Sequence, residues 1–258
     1  AIAAWERSMD LNNTYVYTHR NLGMAYDSRR NDLDNAIRQY KQAIEIDNSD
    51  PRLFAELARL YQKAEVPFKE RLQMMESHLQ VVELRDDALS LLVQIYTRTG
   101  QYDKAIDYLK NYHFRRWEGG GNIRNIYVNA YLMRGLDSYQ HHHYQDAMRD
   151  FEQALEYPEN IEAAKRYYGG RRGQIYYFMG MTHKKAGDQR QAEQAFKEAV
   201  SARKGEEASF QHYYEALALQ ELGMQQKADE IFVDIIQNGK RELQQTGKLD
   251  FFAKFGEK

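Results

Sequence analysis

One spacing recurs along this chain and limits its fold more than any other feature. Gly180, Ala192, Phe196 and Ala199 stand at offsets of twelve, four and three. Gly135, Ala147, Phe151 and Ala154 repeat those offsets, as do Val93, Ala105, Leu109 and Tyr112, and then Ala216, Ala228, Phe232 and Ile235. Gly23, Ala36, Tyr40 and Ala43 follow with one residue added in the turn. Helical periodicity alone does not produce five matches to one template. Small residues at the first, second and fourth positions let two antiparallel helices approach closely, and the large third residue fills the space between them and the next unit. Gly100, Gly187 and Gly223 each fall seven residues after a first position, where a helix has to end in a left-handed turn. Asp188 and Gln191 have the spacing of a capping box for the helix that follows.

A linear array of such hairpins accommodates 258 residues without a single large core, because each unit packs only on its neighbours. A hydrophobic content of 43%, a charged content of 29% and only 3 prolines favour a folded, mostly helical chain. The formal net charge of −2 gives no global attraction to nucleic acid or an anionic membrane. The longest apolar stretches fall far short of the ~20 residues that cross a bilayer, so neither nucleic-acid binding nor membrane insertion is expected. With 0 cysteines there is no disulfide framework, thiolate metal site or thiol nucleophile. That leaves the compartment open.

The motif Asn21-Leu22-Gly23-Met24-Ala25-Tyr26, with Ala36, Tyr40 and Ala43, resembles a tetratricopeptide repeat. Tyr96 repeats the place of Tyr26, three residues after Val93, and Ile46, Asp47 and Pro51 resemble the end of such a unit. The resemblance extends along nearly the whole chain and is weakest between about Pro51 and Asp86. There Ala58 and Tyr61 fit, Pro67 opens the second helix, and Leu72, Met75, Leu79 and Val82 carry its apolar face. It implies an all-α fold, a right-handed superhelical solenoid of about six antiparallel helix pairs spanning 1–258. Residues 1–13 read onto the second helix of the next repeat, Ala1 to Leu11 matching Ala36 to Ile46. The chain is therefore expected to be a piece of a longer polypeptide that starts mid-repeat. A narrower resemblance rests on Arg85-Asp86-Asp87, on Phe114-Arg115-Arg116-Trp117-Glu118-Gly119-Gly120, and on Ala154-Leu155-Glu156-Tyr157-Pro158-Glu159-Asn160. These are similar to the C-terminal tetratricopeptide region of bacterial proteins carrying an upstream galactose-mutarotase-like domain, and they imply a carbohydrate-related parent.

The template alanines Ala36, Ala105, Ala147, Ala192 and Ala228 are unevenly spaced, which places insertions near 117–125 and 161–173. The second insertion holds Lys165, Arg166, Tyr167, Tyr168, Arg171 and Arg172, a run able to grip a phosphate, an acidic glycan or an acidic peptide. A solvated linker is the plainer, preferred reading. In the first insertion, Trp117 and Glu118 beside three glycines offer a stacking surface for a sugar or a partner side chain. The preferred alternative has Trp117 plugging a gap between repeats. His141-His142-His143 occupy a turn and lack the spacing of three or four that places ligands on one helix face, so no metal is expected. No Gly-rich phosphate loop, His-Glu-x-x-His motif or serine elbow is present, so no cofactor and no isolated catalysis are expected.

By the resemblance, Arg20, Tyr177, Met181, Lys184 and Tyr213 are the first-helix residues expected to face a concave groove. Some of them have the alternative role of inter-repeat core. The family's two-carboxylate clamp calls for Lys and Asn, and Arg20, Met24, Tyr177 and Met181 stand in those places, so that function is not implied. Leu249, Phe251, Phe252 and Phe255 are expected to form a C-terminal cap within 240–258. The function expected is a protein-interaction or scaffolding module holding a protein, a peptide or the upstream domain. The alternative is an accessory region that completes the carbohydrate site of a parent enzyme.

Overall fold

The computed structural model describes residues 2–115, 123–162, 171–202 and 212–245. Trp117, Glu118, Tyr167 and Tyr168 lie outside those residues, as do Lys165, Arg166, Leu249, Phe251, Phe252 and Phe255. The described residues form α-helices and no strand. The chain divides into two compact units, one of Ala1–Ala130 with Tyr157–Ala163, the other of Tyr131–Glu156 with Ala164–Lys258.

The first unit contains α1 (Ile2–Leu11), α2 (Val16–Ala25), α3 (Leu33–Ile46), α4 (Pro51–Lys63), α5 (Phe68–Glu76), α6 (Leu79–Val82), α7 (Asp86–Arg98) and α8 (Tyr102–Asn111). It also takes the opening residues of α9 (Ile123–Gln140) and a short 3-10 turn, Glu159–Ile161. The template residues Leu22, Tyr26, Ala36, Tyr40 and Ala43 share one core with Leu53, Leu57, Leu60 and Tyr61 of α4. Ile2, Trp5 and Met9 of α1 pack on it. The second helix of the hairpin after α4 is broken into α5 and α6. Met75 and Val82 are fully buried there, while Leu72 and Leu79 are half-buried. The second unit contains the remainder of α9, then α10 (Tyr144–Leu155), α11 (Arg172–Lys185), α12 (Gln189–Ser201), α13 (Tyr213–Glu221) and α14 (Gln225–Gln245). α14 continues past Gly239 to Gln245 and leaves Val233, Ile236 and Leu243 exposed.

The template describes a contact between the two helices of each hairpin. A Cβ on Gly23, Gly135 or Gly180 would lie 2.7, 2.6 or 2.5 Å from the ring of Tyr40, Phe151 or Phe196 respectively. The rings therefore occupy the space that the glycines leave.

The turns that follow share one conformation. Gly100, Gly187 and Gly223 have φ of 76°, 86° and 76°. Glu65 and His142, seven residues after Ala58 and Gly135, take the same left-handed place with φ of 53° and 62°. In each case the next residue donates its N–H to the carbonyl five residues back: Val66 to Tyr61, Gln101 to Tyr96, His143 to Ser138, Asp188 to His183 and Met224 to Leu219. This Schellman closure satisfies carbonyls left over at the helix end. Asp188 also accepts from the Gln191 N–H at 3.0 Å, and Asp32 accepts from the Asn35 N–H at 3.1 Å, capping α12 and α3.

The hairpin with one added residue differs from expectation. The extra residue is not in the connecting turn but in the helix, which ends as a π turn over Tyr26–Arg30. The left-handed residue moves on to Asn31, with φ of 49°, and Asp32 donates six residues back to Tyr26. The insertion is thus absorbed as a wider final turn.

Polar contacts tie together described residues near 85–87, 112–115 and 160. Asp87 is 4% exposed and lies between Arg59 at 2.7 Å and Arg85 at 2.6 Å. Asp86 accepts from the Tyr112 hydroxyl at 3.0 Å and the Arg115 N–H at 2.7 Å. The Asn160 side-chain amide donates to the carbonyls of Leu109 and Tyr112 at 2.9 and 2.8 Å, closing the end of α8, while the Asn160 carbonyl accepts from Phe114 N–H at 2.8 Å. Residues 86–87, 112–115 and 160 thus build one polar junction in the first unit.

Candidate functional site

The first helices of the leading hairpins border a cleft. Its walls are Met24, Asp27 and Ser28 from α2 and the π turn, Tyr40 from α3, and Glu56, Arg59, Leu60 and Lys63 from α4. Its volume is about 360 Å³, within the range of ligand pockets. The π turn contributes here: Asp27 and Ser28 belong to it, and the Ser28 hydroxyl donates back to the Met24 carbonyl at 2.7 Å. Met24 supplies exposed apolar surface, while Leu60 and Tyr40 line the cleft but are almost fully buried.

Charge in the cleft is organised by the repeat period. Arg20 clamps Glu56 through two bonds of 2.8 and 2.6 Å, and the Tyr40 hydroxyl donates to the same carboxylate at 2.9 Å. The hydrogen bond to Glu56 raises the pKa of Arg20, while burial, then Glu56, raises that of Tyr40. Glu56 is therefore committed to protein partners. One further turn along, Lys63 meets Asp27 at 2.6 Å, with the lysine half-exposed. Both pairs join residues 36 apart. An exposed pair such as Asp27–Lys63 contributes little to stability, about 0–1 kcal/mol, and can be exchanged for a ligand's charge at small cost.

The expected groove residues are thus placed as follows. Arg20 is not among the residues that line the cleft; it is spent on Glu56, which is. Tyr177 and Met181 pack against the core of Ala192, Phe196, Ala199 and Ala218. The Tyr177 ring meets those of Phe178 and Tyr214 at 5.3 and 5.7 Å, and burial pushes its phenol up to about 12. Lys184 pairs with Glu221, 37 residues on. Tyr213 is exposed and its ring lies 5.8 Å from that of Phe232. Of the insertion candidates, Arg171 donates to Gln174 at 2.7 Å and Arg172 to the Tyr176 hydroxyl at 2.9 Å. Arg172 is already the first residue of α11, so the loop ends sooner than 173. His141 and His142 bond locally, to the Asp137 carbonyl and the Tyr144 hydroxyl, at 2.8 and 2.9 Å. Among the described residues no group of three or more His, Asp or Glu is placed to hold a metal ion, and no helix is long and apolar enough to cross a membrane.

The hairpin geometry, left-handed turns and small-to-ring contacts define an all-α fold of antiparallel helix pairs of the tetratricopeptide-like kind. Comparison with known families agrees over three stretches: residues 29–64 match the family described as TPR repeat, and residues 88–112 and 173–205 match families described as Tetratricopeptide repeat. Solved structures of similar fold include a tetratricopeptide repeat protein from Parabacteroides merdae, with TM-score 0.53 and 17% identity, covering 85% of this chain and 80% of that one. YrrB, described as a TPR protein with an unusual peptide-binding site, matches with TM-score 0.52 and 18% identity over 79% of this chain and 94% of its own. The MamA protein matches with TM-score 0.51 and 17% identity over 72% of this chain and 91% of its own.

Proposed function

We propose that this chain is a protein-interaction module and that the cleft between α2 and α4 receives a peptide segment of its partner. The observation that carries the reading is the cleft itself, which combines an apolar floor of Met24, Leu60 and Tyr40 with an exchangeable Asp27–Lys63 pair at its rim. An apolar side chain of the peptide would cover Met24, and a flanking charge would replace one member of the rim pair. Glu56, held by Arg20 and Tyr40, acts as a rigid wall. YrrB provides a precedent of similar fold with a peptide-binding site, an argument by analogy of fold. The upstream mutarotase-like domain and a carbohydrate-related parent rest on the sequence resemblance alone.

The test is selection of peptides from a random display library on the whole chain, followed by affinity measurement on variants. Met24→Ala and Lys63→Ala should each weaken the selected peptides by about tenfold, the effect of losing roughly 1.4 kcal/mol, while Lys197→Ala in the second unit should not. Peptides that bind the two cleft variants as tightly as the wild type would dismiss the cleft as the interaction site.

A further inference from the structure

The last helix of the second unit carries apolar residues on two sides. α14 packs on Ala216 and Leu219 of α13 through Ala228 and Ile231, with Phe232 and Ile235 half-buried beside them. Further round the helix, Val233 is 50% exposed and Ile236 is 56% exposed. Both belong to a longer row, Gln226, Asp229, Val233, Ile236, Lys240 and Leu243, with alternating spacings of three and four. Every member of the row is exposed. This is the heptad spacing by which two helices form a continuous seam. Single exposed apolar residues are normal, whereas an apolar centre set in heptad register marks a contact surface.

The chemistry of the row is self-complementary. Val233 and Ile236 occupy its centre, an acid, Asp229, stands one turn before them and a base, Lys240, one turn after. Setting two copies antiparallel about an axis between Asp234 and Ile235 places Val233 against Ile236, Asp229 against Lys240 and Gln226 against Leu243, each pair twice. Glu230, beside the row, then falls next to Gln237 of the second copy and meets no like charge. A parallel pairing in register would instead set Asp229 against Asp229 and Lys240 against Lys240, which like-charge repulsion opposes. Asp229 accepts from the Gln225 side chain at 2.8 Å, an exposed contact within the helix that an ion pair can replace at small cost. An unrelated partner does not require this symmetry, but a two-fold interface between copies does.

We propose that α14 is a self-association surface through which two copies of this chain pair antiparallel, with Val233 and Ile236 at the centre and Asp229–Lys240 ion pairs at both ends. The surface belongs to the second unit and does not rest on the peptide cleft. One helix pair is small for a specific interface, so the dimer is reversible and concentration-dependent.

Sedimentation velocity of the whole chain over a rising concentration series tests this, in buffer of low ionic strength where the end charges are least screened. A monomer–dimer equilibrium is expected. Asp229→Lys and Lys240→Glu each turn two ion pairs into like-charge pairs, and each should weaken the dimer about tenfold or more. Both positions are exposed, so the helical circular dichroism of each variant should match the wild type. Mixed in equal amounts, the two variants regain opposite charges at both ends and should dimerise about as tightly as the wild type, a result that a folding defect in either chain cannot produce. A chain that stays monomeric at the highest concentration overturns the proposal and leaves the face to residues 246–258 of the same chain or to a different protein. A dimer equally tight in both single variants overturns it by placing the interface elsewhere. A mixture no tighter than its components overturns the antiparallel pairing.

Discussion

A single methyl added at Gly180 tests the packing rule on which the repeats depend. A Cβ there would lie 2.5, 2.6 and 3.0 Å from Cε1, Cδ1 and Cζ of Phe196, inside the optimum of about 3.5–4.0 Å for carbon pairs. Phe196 is 2% exposed and its ring is bounded by that of Tyr177 at 6.0 Å between centres, so it has no open space to swing into. Two effects oppose each other. Alanine in the middle of α11 gains about 1 kcal/mol of helix propensity over glycine. Overpacking a filled core costs about 1–3 kcal/mol, and simultaneous contact with three ring atoms places this site at the upper end. The net expectation for Gly180→Ala is a loss of about 1–2 kcal/mol. The chain carries its own control, since Val93 and Leu109 occupy the equivalent positions without a ring, each fully buried. Gly180→Ala should therefore be better tolerated with Phe196→Leu, giving a coupling of at least about 1 kcal/mol in a double-mutant cycle. Urea unfolding followed by helical circular dichroism measures the four chains, and amide exchange in α11 and α12 reports whether the change is local. A Gly180→Ala chain at least as stable as the wild type, or a strictly additive cycle, would refute the steric argument.

Three further outcomes follow from the structure. Gly187→Ala meets no atom within 4 Å, yet its φ of 86° should cost about 1–2 kcal/mol from the backbone alone, read as a lower urea midpoint. For the Asp87 carboxyl, burial pushes the pKa up but hydrogen bonds from Arg59 and Arg85 outweigh it, leaving the group below its ordinary value. Its stabilisation is present above the unfolded value near 3.9 and is lost as pH falls through the lower folded value. Acid titration of stability should accordingly be less steep below about pH 4 in Asp87→Asn than in the wild type. Asn160→Ala removes both side-chain donors from the end of α8 and should lower stability by about 1–2 kcal/mol, with increased amide exchange at the C-terminal turn of α8 as the local signature.

The hairpins were legible because close helix approach demands small residues opposite large ones, a demand written directly into residue type at Gly135, Ala147 and Phe151. The left-handed turns were legible only where glycine occupies them. Glu65 and His142 adopt the same conformation without announcing it, since the closing hydrogen bond five residues back holds any side chain there at some cost in strain. Spacing alone points to a longer connection rather than a π turn, because an added residue has the same effect on spacing wherever it is accommodated. The candidate site was less legible for a different reason. The family resemblance puts Arg20 and Lys184 on the first-helix face but names no partner for either, although Glu56 and Glu221 stand 36 and 37 residues on. Opposite charges one period apart were the available signal for those pairs, and for Asp27 with Lys63.

The Asn160 contact has a consequence for the order in which the chain can complete itself. It reaches back 51 residues to Leu109, whereas helices in a simple array are finished by the hairpin beside them. The first unit leaves the sequence at Ala130 and resumes at Tyr157, so a growing chain has to make the whole of α10 before the end of α8 acquires its donors. Until then the carbonyls of Leu109 and Tyr112 depend on water. Excising the segment between those two points would not shorten the array by one interchangeable module, because it would alter the reach by which the first unit is closed.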